Sequence, residues 1–282
     1  MAHTTEQPKV WFVTGCSTGF GKKLVEALLK TKARVVATAR NPEGLVKDIQ
    51  GSLDNLLILK LDVTKKEDRQ TAVAEAIKHF GRIDVLVNNA GYGIVGAVEE
   101  SGEEEIRAMF ETNFFGLVFL TQEILPHMRA QKFGHILNMS SIAGFDPSSG
   151  FGIYNASKFA VEGLSEALQL EAGHLGIKVS IIEPGPFRTD FAGRSLKYCK
   201  EISDYASTVG EKRKIFKEIE GSQPGDPDRA AWAMIELVEK PLPVMRIPMG
   251  KIAWDRITKK LTRVSNDLKI TKELAFSTDY ID

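Results

Sequence analysis

The residues best suited to chemistry are a tyrosine and a lysine four positions apart, in the segment Tyr154-Asn-Ala-Ser-Lys158. On a helix, this spacing places the phenol and the ammonium on one face. An unperturbed tyrosine titrates near 10, so acid–base work at pH 7 requires its pKa to fall by about three units, roughly 4 kcal/mol. A neighbouring cation lowers this pKa and burial raises it, so the charge must outweigh the burial. A tyrosine and a lysine at this spacing, without other supporting residues, are also common in helices that have only a structural role.

Two serines precede this pair at the end of an apolar run. The segment Asn138-Met-Ser-Ser141 closes a strand-like stretch, and Ser141 lies thirteen residues before Tyr154. In an open parallel sheet, ligands bind beyond the carboxyl ends of the strands. We therefore expect the serines to border a ligand site.

A glycine-rich turn follows the first apolar run of the chain, in the segment Thr14-Gly-Cys-Ser-Thr-Gly-Phe-Gly21. Between a strand and a helix, such a turn offers free N–H groups and a partial positive charge to a phosphate. The spacing is Gly-x-x-x-Gly-x-Gly, so a turn without a ligand is the alternative. Its position after the first strand favours a dinucleotide.

The residue about 20 positions further on distinguishes two dinucleotides, because a carboxylate there binds a ribose 2′-hydroxyl and an arginine accommodates a 2′-phosphate. This chain has Ala39-Arg40 and no carboxylate until Glu43. The pattern favours NADP(H) as the cofactor. Under the alternative, Arg40 is a solvated surface charge and NAD(H) is used.

The elements that must position these residues are apolar strands alternating with amphipathic helices. The expected strands are Val10–Thr14, Arg34–Thr38, Leu56–Leu61, Ile83–Val87, His135–Met139, Val179–Ile182 and Val244–Ile247. The expected helices are Lys22–Lys30, Lys66–Phe80, Glu103–Met128, Tyr154–Leu175, Ala230–Glu239 and a charged tail. This alternation predicts an α/β fold of the Rossmann type, a doubly wound parallel sheet of about seven strands with helices on both faces. We expect a single domain over residues 1–282.

Composition narrows the class of protein. The 282 residues carry 37 Lys+Arg and 37 Asp+Glu, which argues against nucleic acid as a partner. The two cysteines cannot build a disulfide framework or a zinc site, and we expect no metal. No run reaches the roughly 20 apolar residues of a membrane span, and the polar N-terminus has no signal-peptide pattern. These features predict a cytoplasmic protein with no membrane partner.

Taken together, the motifs resemble those of the short-chain dehydrogenase/reductase family, in its single-domain group, over about residues 8–250. Within the family, the segments 154–163 and 182–186 are most similar to the 17β-hydroxysteroid and retinol dehydrogenase branch, and related bacterial oxidoreductases share them. The motifs that carry the resemblance are Thr14-Gly-x-x-x-Gly-x-Gly21, Asp62-Val63, Asn88-Asn-Ala-Gly91, Asn113, Ser141, Tyr154-x-x-x-Lys158 and Pro184-Gly185 with Thr189.

The resemblance implies an oxidoreductase that interconverts a ketone or aldehyde and an alcohol. Tyr154 would be the general acid or base, and Lys158 would lower its pKa and hold the nicotinamide ribose. Ser141 would polarise the substrate carbonyl, and Asn113 would hold a water that links Lys158 to solvent. The remaining implied cofactor residues are Gly15, Ser17, Thr18, Gly19, Phe20 and Gly21 at the diphosphate and ribose, Arg40 at the 2′-phosphate, Asp62 and Val63 at the adenine, Asn89 at the adenosine ribose, and Phe187 with Thr189 at the carboxamide.

One departure bears on the cofactor. NADP-preferring members of the family often carry Lys or Arg just before the middle glycine, where this chain has Thr18, so Arg40 would discriminate alone. The alternatives are the same chemistry with NAD(H) and a catalytically silent dinucleotide sensor.

The resemblance also implies a homodimer or homotetramer that packs through the helices near 103–128 and 154–175. We further expect residues 187–228 to form a lid over a small-molecule carbonyl or alcohol substrate. Aromatic residues are enriched around its expected mouth and suggest an apolar pocket, with ordinary packing as the alternative; they are Phe145, Phe151, Phe187, Phe191, Tyr198 and Tyr205. Residues 250–282 are expected to form a helical tail.

Overall fold

Seven short strands form one parallel sheet, with a separate two-stranded parallel sheet beside it. The computed structural model describes residues 7–48, 53–191, 193–219, 221–240 and 242–280. The strands are β1 (Val10–Val13), β2 (Arg34–Ala39), β3 (Leu56–Lys60), β4 (Val85–Asn88), β5 (Gly93–Val95), β6 (Gly134–Met139), β7 (Ile177–Pro184), β8 (Leu196–Tyr198) and β9 (Arg246–Met249). The main sheet has the order β3-β2-β1-β4-β6-β7-β9, and β5 pairs with β8. The predicted fold class is confirmed.

Helices cover both faces of the main sheet. They are α1 (Gly19–Leu28), α2 (Pro42–Asp48), α3 (Lys66–Phe80), α4 (Glu103–Phe110), α5 (Gly116–Gln131), α6 (Gly152–Ala172), α7 (Glu211–Glu218), α8 (Pro227–Glu239) and α9 (Lys251–Phe276). On one face, α1 and α8 pack with one set of strand side chains, and on the other face α3, α5 and α6 pack with the alternate set. The strands are apolar on both sides for this reason.

The strand order of the sheet reverses at β1, because β2 and β3 are added on one side of it and β4 and the later strands on the other. Val13, near the end of β1, pairs with Ala37 and with Val87, and Asn88 at the end of β4 pairs with Asn138 of β6. The carboxyl ends of these strands therefore share one edge of the sheet. A crevice opens at such a reversal, where open α/β sheets bind ligands.

Several elements differ from the expectation. The long helix expected at Glu103–Met128 is divided by a π-helical turn at Glu111–Phe115, and α5 continues past Pro126 to Gln131. The strand expected at Val244–Ile247 is instead β9, which begins two residues later and ends at Met249. The helix α2 and the small sheet of β5 and β8 were not predicted, because their segments are short and lack a clear period.

The expected lid and tail contain regular structure. Within residues 187–228, β8 and α7 are formed, and residues 192 and 220 lie outside the described residues. Glu100 and Arg213 join this segment to the chain after β5 through a buried ion pair of 2.7 Å. The tail is α9, whose residues from 261 onward are exposed. Residues 281–282 of the expected tail lie outside the described residues.

Candidate active site

The glycine turn between β1 and α1 is shaped by backbone that only small residues fit. Gly15 and Gly19 have φ angles of +67° and +56°, in the left-handed region that favours glycine. A Cβ added at Gly21 would lie 2.5 Å from the carbonyl oxygen of Gly15. The turn therefore closes on itself and leaves the first N–H groups of α1 facing the crevice.

The end of β4 holds this turn in place. The hydroxyl of Thr14 accepts hydrogen bonds from the backbone N–H groups of Asn89 and Ala90, at 2.9 and 3.0 Å. The amide of Asn89 donates to the carbonyl oxygens of Thr14 and Gly15. The side chain of Asn89 therefore holds the glycine turn, residues 14–21, which we call the phosphate turn. The motif alone did not reveal this structural role of Asn89.

Arg40, Asp62 and Val63 line the far end of the same crevice. Arg40 is exposed, and the preceding Ala39 is buried and carries no carboxylate. The carboxylate of Asp62 accepts hydrogen bonds from the N–H and hydroxyl of Thr64. Although burial opposes it, these bonds and the charge of Arg40 lower the pKa of Asp62. The charges of Arg40 and Lys65 both act on Asp62, and of these two cations Arg40 lines the crevice.

Phe187 and Thr189 border the crevice on the side of the expected lid. The rings of Phe187 and Phe20 meet edge to face, with centroids 5.1 Å apart. Thr189 lies over the phosphate turn, since its Cβ is 3.6 Å from the position of a Cβ at Gly19. Both residues therefore contact the turn that the sequence assigned to the same ligand.

Tyr154 lies in the first turn of α6, and its hydroxyl interacts with the side chain of Ser141, two residues beyond the end of β6. Ser141 also begins the turn Ile142–Gly144, where its Oγ accepts from the N–H of Ala143. Burial raises the pKa of Tyr154 to about 12, and the interaction with Ser141 opposes the rise. The expected depression toward 7 is therefore absent, because burial outweighs that interaction.

Lys158 lies one helical turn after Tyr154, and its Nζ is 5.8 Å from the centroid of the Tyr154 ring. The ammonium donates to the carbonyl oxygen of Met139 at 2.7 Å. Burial lowers the pKa of Lys158 to about 8, and the charge of Glu162 opposes this fall. A group with this pKa carries its charge at neutral pH and loses it in mild alkali.

Asn113 lies in the π-helical turn between α4 and α5, where it is buried. Its Oδ1 accepts a hydrogen bond from the backbone N–H of Tyr92 at 3.0 Å, and its Nδ2 donates one to the carbonyl oxygen of Tyr92 at 2.9 Å. Its Oδ1 and the Nζ of Lys158 approach the same point beside Gly91, at 3.1 and 3.7 Å from a Cβ placed there. The wider turn brings Asn113 beside Lys158, although the sequence predicted a regular helix at this position.

The crevice is one continuous cavity of about 430 Å³ that extends from the glycine turn to Tyr154 and Phe216. Of the aromatic residues expected at its mouth, Phe151, Phe187 and Phe191 line it, and Phe145, Tyr198 and Tyr205 are not among the lining residues. Tyr205 instead donates its hydroxyl to Glu99. Sequence reasoning missed Phe216 of α7 and Arg256 of α9, because neither belongs to a motif.

The residues of the turn fit the diphosphate of a dinucleotide. A Cβ at Gly15 would lie 2.9 Å from the Cα of Ala90, so the space beside the turn stays open only with glycine there. The turn supplies N–H donors at a helix N-terminus, and Lys158 and Arg40 supply positive charge at the two ends of the crevice. This donor set matches an elongated ligand with negative charge at its centre.

Among the residues that the structure describes, no group of three or more His, Cys, Asp or Glu side chains is arranged to hold a metal ion. Within the same ranges, no helix has both the length and the apolar character to cross a bilayer.

Comparison with known proteins decides the family. A model described as short chain dehydrogenase matches residues 9–198, more than half of the chain. The chain belongs to the short-chain dehydrogenase family. Members of this family oxidise CH–OH groups, or reduce the corresponding carbonyl groups, with a nicotinamide dinucleotide, so the protein is an NAD(P)-dependent oxidoreductase that acts on CH–OH groups.

Relatives within the family agree with the branch indicated by the motifs. A 3-ketodihydrosphingosine reductase of Bacteroides thetaiotaomicron is 37% identical over 248 residues, covering 87% of this chain and 89% of that protein. Retinol dehydrogenase 8 of Bos taurus is 36% identical over 223 residues, covering 76% and 70%.

Solved structures of the family share the fold. A short-chain dehydrogenase from Streptomyces avermitilis has a TM-score of 0.90 at 39% identity and covers 96% of this chain and 100% of its own. The structure of ElxO with NADP bound has a TM-score of 0.72 at 26% identity and covers 86% and 97%. A 3-ketoacyl-(acyl-carrier-protein) reductase from Brucella melitensis, in complex with NADH, has a TM-score of 0.71 at 27% identity and covers 85% and 96%.

Proposed function

We propose that the protein interconverts a ketone or aldehyde and an alcohol with NADP(H), and that Tyr154 transfers the proton. The observation that carries this proposal is that Ser141, Tyr154 and Lys158 lie together in one wall of the crevice, at the carboxyl edge of the sheet. Both groups line the crevice that also contains the phosphate turn. When bound, the dinucleotide supplies or accepts the hydride.

The side chains of this wall divide the remaining work. Ser141 donates a hydrogen bond to the substrate oxygen, and Tyr154 gives that oxygen its proton during reduction. Burial keeps the phenol protonated at pH 7, and its work as an acid there requires a positive charge that lowers its pKa. Lys158 holds the ribose and supplies positive charge beside the phenol. Asn113 holds a water beside Lys158 through which the proton is replaced.

The dinucleotide would lie along the crevice from Arg40 to Tyr154. Gly15, Ser17, Thr18, Gly19, Phe20 and Gly21 would hold the diphosphate and ribose. Asp62, Val63 and Asn89 would border the adenosine, and Phe187 with Thr189 the carboxamide. All of these residues except Gly21 line the crevice; Gly21 acts through its close approach to Gly15.

Arg40 favours NADP(H) over NAD(H). Its guanidinium is exposed at the adenosine end of the crevice, and no carboxylate precedes it at Ala39. A 2′-phosphate there would gain a charge-assisted contact. Among the structural neighbours, ElxO holds NADP and the Brucella melitensis reductase holds NADH, so the family accommodates both.

The cavity favours an apolar carbonyl substrate, because rings from three segments border it. Phe191 packs against Tyr154 at 5.5 Å, and Phe216 of the lid segment packs against Phe151 at 4.7 Å between centroids.

We infer that residues 187–228 act as the lid of a single-domain enzyme and that the tail is an appendage of that domain. The enzyme would assemble as a homodimer or homotetramer in the cytoplasm, through exposed apolar side chains on α5 and α6 such as Phe119 and Leu170.

The test is Tyr154→Phe, which removes the proton and keeps the ring. NADPH consumption would be followed with cyclohexanone, benzaldehyde, a 3-ketosteroid and all-trans-retinal, and NADPH affinity by fluorescence titration. We expect the variant to lose about 10²–10⁴-fold in kcat and to bind NADPH as the wild type does. Near-normal turnover in the variant would contradict the proposal. A silent sensor predicts no turnover by the wild type on any carbonyl of the panel.

A further inference from the structure

Behind Lys158, helix α6 carries a second buried charge that the proposed reaction does not use. Glu162 lies one helical turn after Lys158, so the two side chains share a face of the helix. Glu162 is only 4% exposed. A Cβ placed at Gly144 would lie 3.0 Å from the carbonyl oxygen of Lys158 and 3.1 Å from the Cγ of Glu162. The turn after Ser141 therefore closes over this part of α6 and excludes water from it.

Glu162 belongs to a cluster that joins α6 to two strands. Its carboxylate pairs with the guanidinium of Arg246 in β9, and the same guanidinium pairs with Glu183 of β7 at 2.7 Å. Arg246 also pairs with Glu166, one turn further along α6, whose side chain is 51% exposed. The buried members are thus two carboxylates, Glu162 and Glu183, that share one guanidinium.

This sharing leaves negative charge unmatched. Among the described residues, Glu162 Oε1, Glu183 Oε2 and the hydroxyl oxygen of Ser140 are buried with no hydrogen-bond partner of good geometry. Burial, together with the neighbouring charge of Glu183, raises the pKa of Glu162, and the hydroxyl of Ser140 and the charge of Arg246 oppose the rise. Burial also raises the pKa of Glu183. A second cation close to Glu162 would therefore stabilise the cluster.

Lys158 is a buried positive charge, and it needs a negative charge nearby. Its ammonium is buried and donates to a neutral acceptor, the carbonyl oxygen of Met139. A buried ammonium is costly unless a counter-charge compensates it. Glu162 is the carboxylate whose charge acts on Lys158. With Lys158 included, the buried cluster holds two cations and two carboxylates.

We propose that Glu162 is a positioning residue of the reaction: its buried carboxylate balances the ammonium of Lys158 and keeps it charged beside Tyr154. The proposal rests on the role given to Lys158 in the proposed function. Glu162 does not touch the crevice and acts only through Lys158. The charged groups that face it are Lys158 and Glu166 on α6, Glu183 on β7 and Arg246 on β9.

A purely structural role for Glu162 would consist of its contact with Arg246. Glu166 shares that contact from the same helix, but it lies two turns from Lys158 and is half exposed. Glu166→Gln is therefore the matched control for Glu162→Gln. Both variants remove one carboxylate from Arg246, and only one of them removes the charge next to Lys158.

The titration of Lys158 would be measured in two ways. Competitive acetylation with acetic anhydride, read by mass spectrometry of the peptide that contains Lys158, gives its midpoint without turnover. The kcat profile with NADPH and the best carbonyl of the panel gives the alkaline midpoint of activity. We expect Glu162→Gln to lower both midpoints by about one pH unit, because the charged form loses its counter-charge. Glu166→Gln is expected to leave both unchanged, and Glu162→Asp, with its charge drawn back by one methylene, to fall between.

An acetylation midpoint in folded Glu162→Gln equal to that of the wild type would overturn the inference. If the glutamine variant does not fold, as judged by circular dichroism, an unmoved midpoint in Glu162→Asp overturns it instead. Equal shifts in Glu162→Gln and Glu166→Gln would assign the effect to Arg246 and also overturn it. Because acetylation needs no turnover, these outcomes are separate from a failure of the Tyr154→Phe test.

Discussion

The two sides of the crevice are built from different parts of the chain. The phosphate turn, residues 14–21, depends on backbone: two positive φ angles and the close approach of Gly21 to Gly15. The wall formed by Ser141, Tyr154 and Lys158, which we propose to be catalytic, depends on side chains, and burial shifts the pKa values of Tyr154 and Lys158. One side can therefore bind a ligand with little side-chain chemistry, and the other can lose its chemistry without losing its shape.

The largest separation of the two sides is expected from Ser141→Ala. Removing one donor to a developing oxyanion costs about 10²–10³ in kcat in well-studied enzymes. The variant should lose kcat in this range and keep its affinity for NADPH. Steady-state kinetics and fluorescence titration would measure the two quantities. Ser149→Ala, an exposed serine of the same loop, is the control, and an equal loss in both variants would contradict the comparison.

A methyl group at Gly21 should do the reverse. Its Cβ would meet the Gly15 oxygen at 2.5 Å and the Asn89 amide at 2.6 Å, so the turn must distort. Strain of about 3 kcal/mol corresponds to roughly a hundredfold weaker binding of NADPH, measurable by isothermal titration calorimetry.

The control is another helical glycine, Gly163 of α6, which has no heavy atom within 4 Å of an added Cβ. Gly163→Ala should raise the free energy of unfolding by about 0.5–1 kcal/mol and leave NADPH binding unchanged. Normal NADPH affinity in Gly21→Ala would show that the turn tolerates a side chain.

The smallest expected effect comes from removing the side chain of Arg40, one of the residues proposed to bind the cofactor. Arg40→Ala should weaken NADPH binding by about tenfold, the lower end for a charge-assisted contact at an exposed site. Binding of NADH should not change. Arg34→Ala, at the other end of the same strand, is the control. Equal affinities of wild type and Arg40→Ala for NADPH would favour NAD(H) as the cofactor.

Local patterns were enough to predict most of the sheet and the order of its elements. The helix expected at Lys66–Phe80 has those bounds in the structure. The strands β1, β2, β3 and β6 lie within one or two residues of their predicted positions. Such elements follow from side-chain periodicity over a few residues. The motifs also predicted which strand ends would carry the phosphate turn and Ser141, since these residues are adjacent in sequence to apolar runs.

Long-range packing decided what the patterns could not. Asn113 lies in a π-helical turn, on the same side of Gly91 as Lys158, and helical periodicity does not reveal such a turn. Arg246 pairs with Glu183 and Glu162, which lie 63 and 84 positions before it in the sequence. The sequence by itself determined which groups are present and which strand ends carry them. Only the tertiary structure decided how deeply they are buried, and burial determines their charge, because the cost of an ionised group depends on the surroundings that distant segments provide.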